Sequence, residues 1–460
     1  MTETFNPSFA RVEEAIVKNV FGETKNITGL IGRFTLATSI EKANWTGTIS
    51  CYDSVGLLEN WGLYGEEELD IFLKAYDFGT ELRLKAQIYR IDGVAQTEDG
   101  SGLTYDLYFI SKTSYKADLK KITQGFTDVS GGEISKRLFK KAFSEIDKVN
   151  PRSDPDNEKM PAAFTVEKFR VKSDPERYFY NQKTEGNLQL VIPNYRPAKA
   201  MKFVASKSYS KESFSNSYRF FENFDGYYFV TDEWLLERAR ANPTSIEKLY
   251  YFPIAPREAK NIEIQRAQID SFLNSRRAHT GEDLYSGTYV NKVVEIDFVQ
   301  HKINHRVFNY VKDAKYYSGQ GKITLVDDAH TKKFIDETFL ESNARQFMVF
   351  RDYSSPGHVE PITKRSVRGD QYYAEIAANR TAYNRHLNSS AVEITTKGKL
   401  YLQAGSVIEI VLPEANAADT VEPNKQLAGN YLVHSVSHIF EDDQLKTSAK
   451  IIKYGHVGGT

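Results

Sequence analysis

The chain has 460 residues, too many for one ordinary core, so two to four domains are expected. Its 60 basic and 61 acidic residues nearly cancel, which excludes whole-chain attraction to nucleic acid or acidic membranes but leaves local patches or a charged channel open. The solitary Cys51 excludes an intramolecular disulfide and any multi-cysteine metal centre. No apolar run approaches the roughly 20 residues that a membrane helix needs. The first residues lack a basic flank followed by an apolar core, so the expectation is a soluble protein made in a cytoplasm without its own export address.

The first residues, Phe9 to Val20, have helical spacing and read as a helix or a docking arm. Alternation then predicts strands over Arg33 to Ile40 and Trp45 to Tyr52, with Ile40, Trp45 and Ile49 as core contacts. Further strands are expected at Glu68 to Ala75 and Leu82 to Tyr89. A turn at Asp99-Gly100-Ser101-Gly102 then leads into a return strand over Tyr105 to Lys112. Short strands with such turns suggest a small barrel or sandwich.

Composition changes near Ser130. Ile134, Leu138, Phe139, Ala142, Phe143 and Ile146 recur at three to five residues, which predicts an amphipathic helix from Ser130 to Lys148 with Ser130 as its cap. Prolines at 151, 155 and 161 mark an exposed excursion. A second helix is expected after Pro197, carrying Met201, Phe203 and Val204, followed by a hairpin turned on Asp225-Gly226. Strand signals return at Val293 to Gln300 and His305 to Lys312, a helix is expected from Asp370 to Leu387, and strands resume at Ala391. From Leu402 to Lys450 three β-like runs include Tyr431, Val433, Val436 and His438, spaced as a barrel wall would space them.

The fold class is therefore α+β and predominantly β: two tube-like β-barrel domains separated by an α+β domain, with an insertion in the second barrel. The boundaries are 1–125 for the first barrel, 126–255 for the α+β domain, 256–312 and 386–460 for the two parts of the second barrel, and 313–385 for the insertion.

Catalytic and metal motifs give little. His301 and His305 have the spacing of a zinc-protease pair, but Lys302 stands where the glutamate is required and the segment reads as strand or turn. His434 and His438 share that spacing, yet on a strand they lie roughly 13 Å apart and cannot chelate one ion; they read as solvent-facing or hydrogen-bonded barrel histidines. Ser318-Gly319-Gln320-Gly321-Lys322 lacks the upstream glycine of a phosphate loop, and Ile323 replaces its hydroxyl residue. Cys51 sits in a strand without a nearby histidine, and no nucleophile elbow exists. Asp327-Asp328 and Glu66-Glu67-Glu68 read as solvated loop acids, and the basic run Lys136 to Lys141 as the wet face of a buried helix. The expectation is no catalytic, metal or cofactor site.

Several separated strings carry a resemblance by their order. They are Trp45 to Asp53 followed by Gly65 and Glu66 to Ile71; the step from Ile192 to Ala200; the hairpin Phe220-Phe221-Glu222-Asn223-Phe224-Asp225-Gly226-Tyr227-Tyr228-Phe229; Gly287-Thr288-Tyr289 to Asp297; and the final Gly429-Asn430-Tyr431 to His438. This set resembles the central baseplate hub proteins of contractile-tailed bacteriophages, related to the hub half of type VI secretion spikes. The likeness spans nearly the whole chain and departs from the family in the loops at 150–160 and 313–385.

The resemblance implies a non-enzymatic structural virion protein. It implies a homotrimer at the tail baseplate, assembled in the host bacterial cytoplasm, that adapts a sixfold tail tube to a threefold central spike and forms part of the DNA ejection channel. Implied partners are the spike protein, a tail tube or tube-initiator protein, baseplate wedge proteins and a tape measure protein. Double-stranded DNA would pass transiently, without stable nucleic-acid binding. The alternatives are a virion-associated cell-wall or polysaccharide hydrolase and another trimeric tail-tip or receptor-binding protein.

Overall fold

The fold described here is that of residues 9–75, 80–97, 100–149, 160, 164, 166–210, 216–251, 267–274, 290–298, 301–309, 345–350, 380–381, 384, 391–411 and 427–453 in a computed structural model of the chain. It is predominantly β, with a large curled half-barrel sheet and smaller α+β sheets.

The N-terminal strands are β1 (Ala10–Lys18), β2 (Thr24–Asn26), β3 (Ile31–Ser39), β4 (Thr46–Asp53), β5 (Glu68–Ala75), β6 (Thr80–Gln96) and β7 (Leu103–Ser111). They run β3-β4-β7-β6-β5-β1-β2, every neighbouring pair antiparallel. Alternate residues point inward, as the period of two requires, and Phe34, Ile49, Ile71, Ile88, Leu107 and Phe109 form one core. Packing at Gly47 is close enough to require glycine: a Cβ there would stand 2.2 Å from the Phe109 ring and 2.5 Å from the Thr35 carbonyl oxygen.

The segment expected to be helical or a docking arm is strand β1. Its register against β5 shifts between Val12 and Glu14, so Ala10, Ala15 and Val17 are buried at spacings of five and two. A bulge thus broke the alternation and imitated a helical period.

The middle of the chain comprises α1 (Lys112–Asp118), β8 (Ile122–Ser130), α2 (Gly131–Ala142), β9 (Ile146–Lys148), β10 (Val166–Val171), β11 (Asp174–Gln182), β12 (Asn187–Tyr195), α3 (Pro197–Lys207), β13 (Arg219–Glu222), β14 (Gly226–Val230) and α4 (Asp232–Ala241). A five-stranded sheet runs β13-β14-β11-β10-β9, and β8 with β12 forms a separate ribbon. The Ser130 hydroxyl accepts from the Glu133 N–H at 3.3 Å, so the expected cap of α2 is present. The helix is shorter than its periodicity predicts. It stops at Ala142, and Ile146, buried as expected, belongs instead to a strand paired with Val171 of β10.

The remaining strands are β15 (Glu247–Tyr250), β16 (Ile269–Asn274), β17 (Val290–Asp297), β18 (Lys302–Asn309), β19 (Arg345–Phe350), β20 (Ala391–Lys397), β21 (Val407–Val411), β22 (Gly429–Glu441) and β23 (Gln444–Lys453). Six of them run β16-β20-β23-β22-β21-β15 around a core that includes Leu249, Ile269, Ile394, Ile410, Tyr431 and Ile451. The curl returns on itself where Tyr250 bridges Gln268 and donates its N–H to Ala267 at 2.8 Å.

Two pairings among the described residues bear on the expected divisions. Strands β17 and β18, expected in the second barrel, pair with each other and with β19 in their own three-stranded sheet. Strand β15, read as part of the α+β domain, pairs in parallel with β21. Alternation shows that a segment is a strand, but it does not show which edge receives it. The helix expected from Asp370 to Leu387 lies outside the described residues apart from Arg380, Thr381 and Asn384, which are helical.

Candidate assembly site where the units meet

Strand β22 is common to both curls. Its first residues pair with β21, Val407 opposite Leu432, while Ser435 to Glu441 pair with Ser39 to Arg33 of β3. Strand β23 follows it along the other side. The tip of the β22–β23 hairpin also closes the first curl: Phe9 bridges Gln444, Ala10 donates to Asp443, and Phe440 and Leu445 enter the N-terminal core. The two β sections are therefore one hydrogen-bonded sheet.

The change of partner along β22 falls at a register shift between Val433 and Ser435, which places His434 at the bulge. The His434 carbonyl accepts from the Ile40 N–H at 2.9 Å, and its ring Nε2 lies 3.2 Å from Glu41 Oε1. That hydrogen bond is the main reason the Glu41 carboxyl is held down at about 2, with burial opposing it. Lys202 of α3 donates to the Glu41 carbonyl at 2.5 Å. Arg219 of β13, itself paired with the buried Asp232 at 2.7 Å, reaches Glu41 at 4.0 Å. One turn of the first curl thus touches the second curl and the α+β unit.

A second junction forms around Glu222, which is fully buried. Its carboxylate accepts from Ser111 at 2.5 Å, from Ser114 at 2.6 Å and from Arg177 at 2.6 Å. Arg177 also donates to the Asn223 carbonyl at 2.5 Å and lies over the Tyr227 ring at 4.7 Å. Burial disfavours the Arg177 charge, but the Glu222 carboxylate more than offsets it and holds the guanidinium's pKa above its ordinary value. The Asn223 side-chain oxygen accepts from the N–H groups of Asp225 and Gly226, and its amide donates to Ala404 at 3.3 Å. The hairpin Phe220–Phe229 therefore ties together the end of β7, the five-stranded sheet and the second curl.

The other singled-out residues do not converge. His438 is completely buried, not solvent-facing. Its Nε2 donates to the Leu402 carbonyl at 3.0 Å, which leaves Nδ1 to accept from the Thr447 hydroxyl at 3.1 Å. Burial pushes its pKa down to about 4. His434 is buried as well. His301 occupies the turn before β18 at φ 51°, and His305 is exposed along that strand. Burial, followed by the charges of Asp53 and Asp106, pushes the Cys51 thiol up to about 12. Glu67 is buried and accepts from the N–H groups of Tyr64, Gly65 and Glu66, so it folds its own loop. Among the described residues no three His, Cys, Asp or Glu side chains converge as a metal-binding group. Ser318 to Lys322 and Asp327-Asp328 lie outside the described residues.

Sequence reading missed Arg177, Ser111 and Ser114. The available signal was a lone arginine at the head of the aromatic run Tyr178-Phe179-Tyr180, in a strand whose alternation carries it inward and so demands a buried acid.

No protein-family model matches the chain, and no curated protein matches it. Among solved structures it is similar to a tail protein from Neisseria meningitidis MC58, at 8% identity and a TM-score of 0.48, covering 95% of this chain and 96% of that one. It is similar to the 43 kDa tail protein of prophage MuSo2 from Shewanella oneidensis, at 9% identity and a TM-score of 0.48, over 96% and 97% of the two chains. An E. coli type VI secretion component, described as structurally similar to the T4 bacteriophage tail proteins gp27 and gp5, matches at 7% identity and a TM-score of 0.40, over 97% of this chain and 76% of that one.

Proposed function

We propose that the chain is a structural subunit of a phage tail or related injection machine, acting as the central hub between tube and spike. Three copies form a ring, and each contributes its two curled β units as tube-like domains. The proposed divisions are 1–125 and 126–255 for the first curl and the α+β unit, 256–312 with 386–460 for the second curl, and 313–385 for the insertion, with Glu247–Tyr250 pairing to the second curl and β17–β19 forming a sheet of their own among the described residues. The observation that carries this reading is the seam of β22 with β3, which joins two curled β units in one hydrogen-bonded sheet. Three such pairs present six similar units to a sixfold partner and three chains to a threefold one. Buried junctions made of ion pairs and hydrogen bonds suit a part whose role is shape.

The partners are a spike protein, a tube or tube-initiator protein, wedge proteins and a tape measure protein, with DNA passing through transiently. The location is the tail baseplate of a virion. Native mass spectrometry of the purified chain, alone and with a spike partner, tests the proposal. A trimer is expected, whereas a chain that stays monomeric under both conditions refutes it.

A further inference from the structure

The basic run Lys136 to Lys141 serves neither junction. Lys136 and Arg137 are satisfied within α2, both pairing with Glu133. Lys140 and Lys141 are exposed at the end of that helix, and Lys141 Nζ donates to Gln124 Oε1 of β8 at 3.1 Å. Lys120 and Lys121 stand exposed immediately before β8. Among the described residues none of these four lysines has a carboxylate within ion-pair reach; Lys120 donates to the Ala142 carbonyl at 3.0 Å.

Beside them lies an open strand edge. Among the described residues strand β8 pairs only with β12, and no other backbone group bonds to its second edge. Ile122 and Phe126 turn inward to the core shared with α2, while Thr123, Gly125 and Thr127 are exposed. From Ile122 to Thr127 the edge has no charge and no proline, two of the devices that blunt such an edge. The charge and the irregularity of β8 come at the end of that stretch, where its register against β12 shifts at Thr127–Asp128 and Asp128 is exposed at φ 58°. The opposite edge of the ribbon is blunted: β12 carries Pro193 and a register shift between Ile192 and Tyr195.

We infer that the free edge of β8 receives an extended, acidic segment of a partner protein as a third strand. Its backbone completes the β8 ladder, and its carboxylates sit against Lys120, Lys121, Lys140 and Lys141. The inference rests on these residues alone and is independent of the hub reading.

The probe is a fluorescein-labelled peptide of alternating valine and threonine with two glutamates at one end, beside the same peptide ending in lysines. Fluorescence anisotropy with the full chain should show binding of the acidic peptide, and hydrogen exchange should show slowed amides within Thr123 to Thr127. Lys140→Glu/Lys141→Glu should weaken binding by about tenfold or more. Gly125→Asp should do the same by repelling the incoming acids, and it is tolerable in the fold because a Cβ there meets no atom within 4 Å. The idea is overturned if the acidic peptide fails to bind at millimolar concentration, or binds without protecting β8. It is equally overturned if the lysine-ended peptide binds as well, or if the lysines hold a DNA duplex while the peptide leaves β8 unchanged.

Discussion

At the scale of single residues, the fold depends on a few buried polar groups that each join two units. Glu222 and Arg177 are the clearest case, because removing one partner strands the other charge out of water. Glu222→Ala should cost about 3–5 kcal/mol in urea unfolding. Replacing both residues with apolar ones of similar size should recover much of that loss, and a simple sum of the two single losses would show that they do not act as a pair. His438 makes the opposite argument, since it is held neutral. Its folded value near 4 lies below the ordinary 6.5, so the stability tied to its neutral ring is complete above pH 6.5 and is lost as pH falls through 4. The loss is on the order of 3 kcal/mol, and His438→Gln should flatten that part of the stability–pH curve. At neutral pH the same change should cost about 1 kcal/mol or somewhat more, because two buried hydrogen bonds depend on the imidazole. Its spacing marked His438 as part of a barrel wall, but nothing local in the sequence shows that Leu402 and Thr447 would supply its partners.

At the scale of elements, regular alternation was readable and its interruptions were not. Strands β3, β4, β5 and β7 sit where their inward residues predicted, since β4, β5 and β7 keep the period of two and β3 keeps it from Phe34 to Thr38. Strand β1 was misread because its bulge near Glu13 shifted the burial phase. The end of α2 was misread because Ile146 continues the helical spacing while bonding to β10. Junction residues are the least legible, as Glu41, Lys202, Arg219 and His434 meet only through the tertiary fold. Strand β21 tests the second curl directly, because it is flanked on both sides, Glu409 lying opposite Lys248 and opposite Asn430. Glu409→Pro should remove ladder hydrogen bonds and lower the unfolding midpoint sharply in thermal melts. An unchanged midpoint would mean that β21 is not an interior strand.

At the scale of the whole molecule, the account rests on repetition. One chain holds two curled β units joined along β22 and β3, and the α+β unit braces that seam through Glu41 and Glu222. In the proposed hub, three such pairs present six curls to a sixfold partner and three chains to a threefold one. The nearly balanced charge of the chain is compatible with the proposed passage of DNA without capture. Electron microscopy of the assembled particle tests the central claim most directly. The account predicts closed rings with threefold symmetry and six curled β units around a bore. Monomers, open chains, or rings in which the two curls of one subunit do not lie side by side around the bore would contradict it.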